Sequence, residues 1–134
     1  MNAKGKVVAF IVALVTIIGL IVQVAPANEL QGLFANLFYG GEQWHQNPVI
    51  LAIIITIAVN FAGYLENAAR NPDEPYDAKK FAETYLKYLP MLTVFTQYLP
   101  PEQAASLAVA LDIISRAVKS LRAQPAKRTR GKQA

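Results

Sequence analysis

Asp112 and Arg116 stand four residues apart, the spacing at which two side chains meet on one face of an α-helix and neutralise each other. In an otherwise apolar segment such a pair is either an exposed or interfacial ion pair, or part of a polar pathway through a membrane. Asn60 and Thr56 form a second set, one helical turn apart within a run that carries no charge. An amide or hydroxyl in hydrocarbon seeks a partner, and a hydrogen bond of this kind between helices contributes about 1 kcal/mol or less. Ala58 and Ala62 beside them, like Ala9 and Ala13 earlier in the chain, give the small-xxx-small step that lets helices approach closely. Asn60, Thr56, Ala58 and Ala62 are therefore the expected helix-packing residues, and Asn60→Leu is expected to weaken association in detergent. A third set, Asp73, Glu74 and Asp77, is acidic, but with Pro72 and Pro75 among them it reads as a solvated turn. Paired-carboxylate catalysis would need those groups held in a pocket.

Other chemistry is excluded by composition. The chain has no cysteine and a single histidine, so cysteine nucleophiles, disulfides, thiolate metal sites and His-rich metal sites are ruled out. His45, beside Trp44, reads as a polar interfacial residue. No phosphate-cradling Gly-rich loop and no Ser-His-acid arrangement is visible. The sequence thus predicts a protein that is not an enzyme, with no catalytic residue, cofactor or metal.

The elements that position these residues follow from the distribution of charge. Of 134 residues, 54% are hydrophobic and 16% charged, against about a quarter charged in an average soluble domain. The net charge of +4 belongs to the tail: residues 1–122 hold nine basic and nine acidic side chains, and Lys127, Arg128, Arg130 and Lys132 hold the excess. The run 7–25 has 19 residues without a charge, about 28 Å of helix, close to the hydrocarbon thickness of a bilayer. The run 48–65 has 18 and opens with Pro48 in the favoured first helical position after Asn47, an N-cap. A chain this short cannot wrap two such helices in polar ones. The fold class predicted is an all-α integral membrane protein with two transmembrane helices, about 7–25 and 48–65.

Between them Leu30, Leu33, Phe34, Leu37 and Phe38 fall on one face of a short helix, 28–39, with Asn28 as its cap and Gln31 completing a capping box. Such a helix would lie in the membrane interface or pack on partner subunits, with Tyr39 and Trp44 at headgroup level. Residues 67–77 form a cytoplasmic turn, and Asp77 reads as the N-cap of the next helix. A C-terminal helical hairpin follows, about 78–99 and 102–122, with Pro90 kinking its first arm and Leu107, Leu111, Ile114 and Val118 on one face of its second. Its uncharged stretches, 14 residues between Lys87 and Glu102 and nine between Glu102 and Asp112, fall short of the roughly 20 that a span needs. The hairpin is shallow, re-entrant or spanning, the last with Lys87 snorkelling and Asp112 neutralised by Arg116. The organisation is a transmembrane hairpin over 1–66, the turn over 67–77, the second hairpin over 78–122 and a basic, disordered tail over 123–134.

Lys4 and Lys6 precede the first run, no Lys or Arg lies in 26–47, and Arg70, Lys79 and Lys80 follow the second run. The positive-inside rule then puts the N-terminus and the tail in the cytoplasm. Residues 1–27 also fit a secretory signal peptide cut after Ala27. The tail's Lys127, Arg128, Arg130 and Lys132 would contact lipid headgroups; with no folded reading element, sequence-specific nucleic-acid binding is excluded. In size, clustered helices, cytoplasmic ends and basic tail the chain resembles phage holins, a resemblance of architecture alone. It implies a pore former acting by helix packing and homo-oligomerisation in the lipid bilayer. Two other readings fit the same features: a structural or accessory subunit docked on membrane-complex partners, and a subunit similar to conjugative pilins, cleaved after Ala27.

Overall fold

In a computed structural model of the chain, residues 3–39 and 46–123 are described, apart from the side chains of 36, 37, 39 and 123. They form five helices: α1 (Ala3–Val24), α2 (Ala27–Tyr39), α3 (Pro48–Arg70), α4 (Ala78–Thr96) and α5 (Pro101–Ala123). Trp44, His45, Lys127, Arg128, Arg130, Lys132 and the side chain of Tyr39, expected at headgroups, lie outside the described residues.

Two helix starts obey the side-chain capping rule. The Asn47 side-chain oxygen accepts from the amides of Val49 at 2.9 Å and Ile50 at 3.2 Å, and that of Asp77 accepts from Lys80 at 2.9 Å. The start of α2 differs from expectation. Asn28 lies inside the helix, and the Pro26 carbonyl accepts the first bonds, from Glu29 at 3.1 Å and Leu30 at 3.0 Å. Pro26 has no amide to satisfy, which suits it to the flank of a helix start. Helix α3 continues five residues past the apolar run, through the i,i+4 pair of Glu66 and Arg70, and stops at Asn71, which precedes Pro72. Helix α4 runs through Pro90 but ends at Thr96, not 99. Its last turn tightens into i−3 bonds at Gln97, Tyr98 and Leu99, ahead of Pro100 and Pro101. Pro101 then supplies the first turn of α5, one residue earlier than expected.

Helices α1, α3, α4 and α5 each touch the other three, making a four-helix bundle, and α2 packs on α3. The core is formed by Ile17, Leu20 and Ile21 of α1, Val49, Ala52 and Val59 of α3, Phe81, Ala82 and Tyr85 of α4, and one broad face of α5. On α5 the expected stripe Leu107, Leu111, Ile114 and Val118 is buried, together with Ala110, Ile113 and Ala117. The helices alternate in direction. Lys6 of α1 donates to the Pro72 carbonyl just beyond α3. At the other end Ser106 of α5 donates to the Gln46 carbonyl at 2.7 Å and the Gln46 amide to Glu102 at 3.3 Å, tying the start of α5 to the start of α3.

α1 and α3 are long and apolar enough to cross a membrane. Their outer faces stay apolar: Val8, Ile11, Val12 and Val15 of α1 and Ile57, Phe61 and Leu65 of α3 are all exposed. So are Met91, Val94 and Phe95 on α4. The helix α2 divides its apolar residues instead of burying one stripe: Leu33 is buried, while Phe34 and Phe38 stack on each other at 6.2 Å on the exposed side.

Candidate functional site: a polar cleft at the charged end

The packing residues expected from sequence separate onto two faces of α3. Thr56 and Asn60 are fully buried against the bundle, whereas Ala58 and Ala62 are exposed. Inside this chain the close-packed small positions of α3 are therefore Ala52 and Gly63, not Ala58 and Ala62. A helix advances about 100° per residue, so Ala58 and Ala62 cannot share the face of Asn60. The Asn60 amide donates to the Phe10 carbonyl of α1 over a long 3.4 Å, and the neighbouring Phe10 and Tyr64 rings meet at 4.8 Å. Its own carbonyl oxygen and the Thr56 hydroxyl have no partner. Asn60 thus acts within the chain. Replacing a poorly satisfied buried amide by an apolar group of similar shape is close to neutral, so Asn60→Leu should leave the thermal midpoint of the detergent-solubilised chain unchanged or higher. A drop of several degrees would show that the amide is needed.

Asp112 and Arg116 do pair, at 2.8 Å, with side chains 63% and 46% exposed on the outer face of α5. A pair this exposed contributes little to stability wherever water reaches it.

Where the end of α3 meets the start of α4, side chains enclose a cleft of about 200 Å³. One side is held by Glu66, whose carboxylate takes Lys87 at 2.7 Å, Tyr88 at 3.2 Å and Arg70 at 3.7 Å. The other is held by the linker: Asn67 donates to the Glu74 carbonyl at 2.8 Å, and Lys80 lies 3.5 Å from the Glu74 carboxylate. Tyr76 closes the floor. It is only 2% exposed, and its hydroxyl has no hydrogen-bond partner. It rests on Gly63, where a Cβ would overlap the hydroxyl and the ring. A glycine within an apolar span marks such a close approach. The cleft offers three cations, Arg70, Lys80 and Lys87, the carboxylates of Glu66 and Glu83, and one buried phenol.

Burial pushes the Tyr76 phenol up to about 12, because the phenolate would lose its hydration. Asp77 and Glu66 add repulsion. The Thr84 hydroxyl donates to the Lys80 carbonyl at 2.9 Å and lies close enough to offset part of the rise, though outside bonding geometry with Tyr76. The protonated phenol is neutral and its folded value exceeds the ordinary 10.0. Its contribution is therefore intact below pH 10 and lost as pH rises toward 12. That loss is on the order of 2 kcal/mol. Tyr76→Phe should remove that part of the alkaline destabilisation, read from thermal midpoints between pH 9 and about 12. An unchanged slope would contradict the buried phenol.

Neither Gly63 nor Tyr76 stands out by type or spacing in the sequence. The signals that could have found them are a glycine inside an apolar run and an aromatic residue between Pro75 and Asp77, in a turn otherwise polar. The ionic groups also gather at one end. Tyr85 of α4 donates to the Leu111 carbonyl at 2.6 Å and meets Ser115 at 3.0 Å, so the charged half of α5 lies beside the charged half of α4. Every Lys and Arg among the described residues falls at this end, while the end that holds the start of α3 carries only Glu29 and Glu102 among described charges. Comparison with protein-family models, curated proteins and solved structures found no match.

Proposed function

We propose that this is a small, non-enzymatic multi-pass membrane protein that acts by helix packing and oligomerisation, with pore formation of the holin type as the sharpest version. The observation that carries the reading is the combination of an apolar outer surface on α1, α3 and α4 with a one-ended distribution of Lys and Arg. A soluble bundle hides its valines and phenylalanines; here Val15 is 64% and Phe61 54% exposed. The basic end belongs in the cytoplasm by the positive-inside rule, with both hairpins inserted. Helix α1 supplies Ala13, Ile17, Leu20 and Ile21 to the core, which favours its retention over cleavage after Ala27.

The exposed Phe34 and Phe38 pair on α2 supports a second reading, in which that helix docks on a fixed partner of a larger membrane assembly. Controlled expression in a bacterial host separates the two. Leakage of cytoplasmic contents, with a ladder of cross-linked homo-oligomers in isolated membranes, is expected for a pore former. An intact membrane at high expression would reject the pore, and co-purification of one partner at fixed ratio would favour the accessory subunit.

A further inference from the structure

We propose that the cleft between α3 and α4 binds a phosphoethanolamine group, a phosphate ester that also bears a primary ammonium, supplied by a phospholipid headgroup or by a soluble ester. The inference rests on the membrane reading only for the lipid as source. The wall carries both signs of charge, and the two signs are not equally engaged. Glu66 is shared by Lys87 and Arg70, and Arg70 is the loose member at 3.7 Å with its side chain 73% exposed. Lys80 reaches Glu74 only at 3.5 Å. These two cations can swing to a phosphate while Lys87 keeps Glu66 neutralised, since charge-assisted bonds to phosphate oxygens exceed a loose, solvated ion pair.

Two further groups indicate the rest of the ligand. Tyr76 lines the cleft and its hydroxyl is buried without a partner; a phosphate oxygen that reaches it gains a donor. Glu83 lines the same cleft, is exposed, and stands in no ion pair among the described residues. A simple anion would leave Glu83 repelling it; an ammonium a few bonds from the phosphate satisfies it. Leu65 and Leu86, neighbours in sequence of Glu66 and Lys87, are exposed and would offer acyl chains an apolar surface.

The test uses the full chain in a phosphate-free detergent, with bound lipid counted by native mass spectrometry after adding synthetic phosphatidylethanolamine, phosphatidylglycerol or diacylglycerol. Glycerophosphoethanolamine serves as the soluble competitor. One phosphatidylethanolamine per chain is expected, held more tightly than phosphatidylglycerol, with diacylglycerol not retained. Tyr76→Phe should weaken it about tenfold, the size of one hydrogen bond to a charged group. Glu83→Gln should abolish the preference over phosphatidylglycerol, and the rim variant R70Q/K80Q should remove binding of both. Lys119→Gln, away from the cleft, should change nothing. Displacement by glycerophosphoethanolamine at the concentration of the lipid identifies a soluble ester as the natural source; failure to displace identifies the lipid. Equal retention of phosphatidylethanolamine and phosphatidylglycerol, or unchanged binding in R70Q/K80Q, would overturn the proposal. The leakage and cross-linking tests above do not depend on that result, so either reading can fail alone. Because Arg70 and Lys80 lie on the rim, their variant tests the site even if Tyr76→Phe alters folding.

Discussion

Gly63→Ala should destabilise the bundle by about 1–3 kcal/mol, the range for forcing new atoms into a filled and rigid site. The added methyl would overlap the Tyr76 hydroxyl and two ring atoms. A tyrosine has two rotatable bonds and no flexible end with which to move aside, and this one, itself in the linker that leads into α4, is buried against α3. Displacing it would pull on Asp77, whose side chain holds the first turn of α4, so the loss should spread to the α3–α4 junction. The midpoint of thermal unfolding in detergent reads the effect. Tyr76→Phe alone takes away the nearest atom but leaves the ring; Tyr76→Ala makes room for the methyl. The double variant Gly63→Ala with Tyr76→Ala should therefore be no less stable than Tyr76→Ala alone, a large positive departure from additivity. Additive losses would mean that the two residues do not meet.

The prediction at Gly63 also marks what periodicity cannot read. Asn47 and Asp77 as caps, the 3–4 spacing of α5 and the i,i+4 pair Asp112–Arg116 all depend on residues close in sequence, and each is present in the fold. The packing face of α5 was legible because its other face is charged. Through residue 65 the only clearly polar side chains of α3 are Thr56 and Asn60, one turn apart, and they do mark its buried face; Ala58 and Ala62, by contrast, carry the same local signal as the buried small positions. The rotation is set by partners far along the chain: Phe10 beside Asn60, Tyr76 on Gly63, Lys87 on Glu66. The same reasoning applies to α2, where Leu33 and Phe34 are equally apolar and only the position of α3 decides which is covered.

The depth of the second hairpin is where sequence and fold can be made to answer with one measurement. The chain has no cysteine, so each single cysteine reports its own position. If both hairpins cross the bilayer, Gln31→Cys on α2 and Tyr98→Cys at the α4–α5 turn should react with an impermeant maleimide on intact cells. Asp73→Cys in the α3–α4 linker and Lys119→Cys near the end of α5 should react only after permeabilisation. A shallow or re-entrant hairpin puts Tyr98 with Asp73 instead. The fold fixes which end of α3 the start of α5 lies beside. Ser106 and Glu102, in the first turns of α5, bond to Gln46, immediately before α3. The two ends of α3 are separated by about 34 Å of helix, so a bilayer crossed by α3 has its far surface at Gln46, and the start of α5 must be there with it. The 14 uncharged residues from Lys87 to Glu102 and the nine from Glu102 to Asp112 are fewer than a span needs. Crossing would therefore require Lys87, held at 2.7 Å by Glu66, and the exposed Asp112–Arg116 pair to enter the membrane as neutralised pairs. Labelling of Tyr98→Cys from outside would establish four crossings; labelling only after permeabilisation would require the bonds of Gln46 to Ser106 and Glu102 to be absent in the membrane.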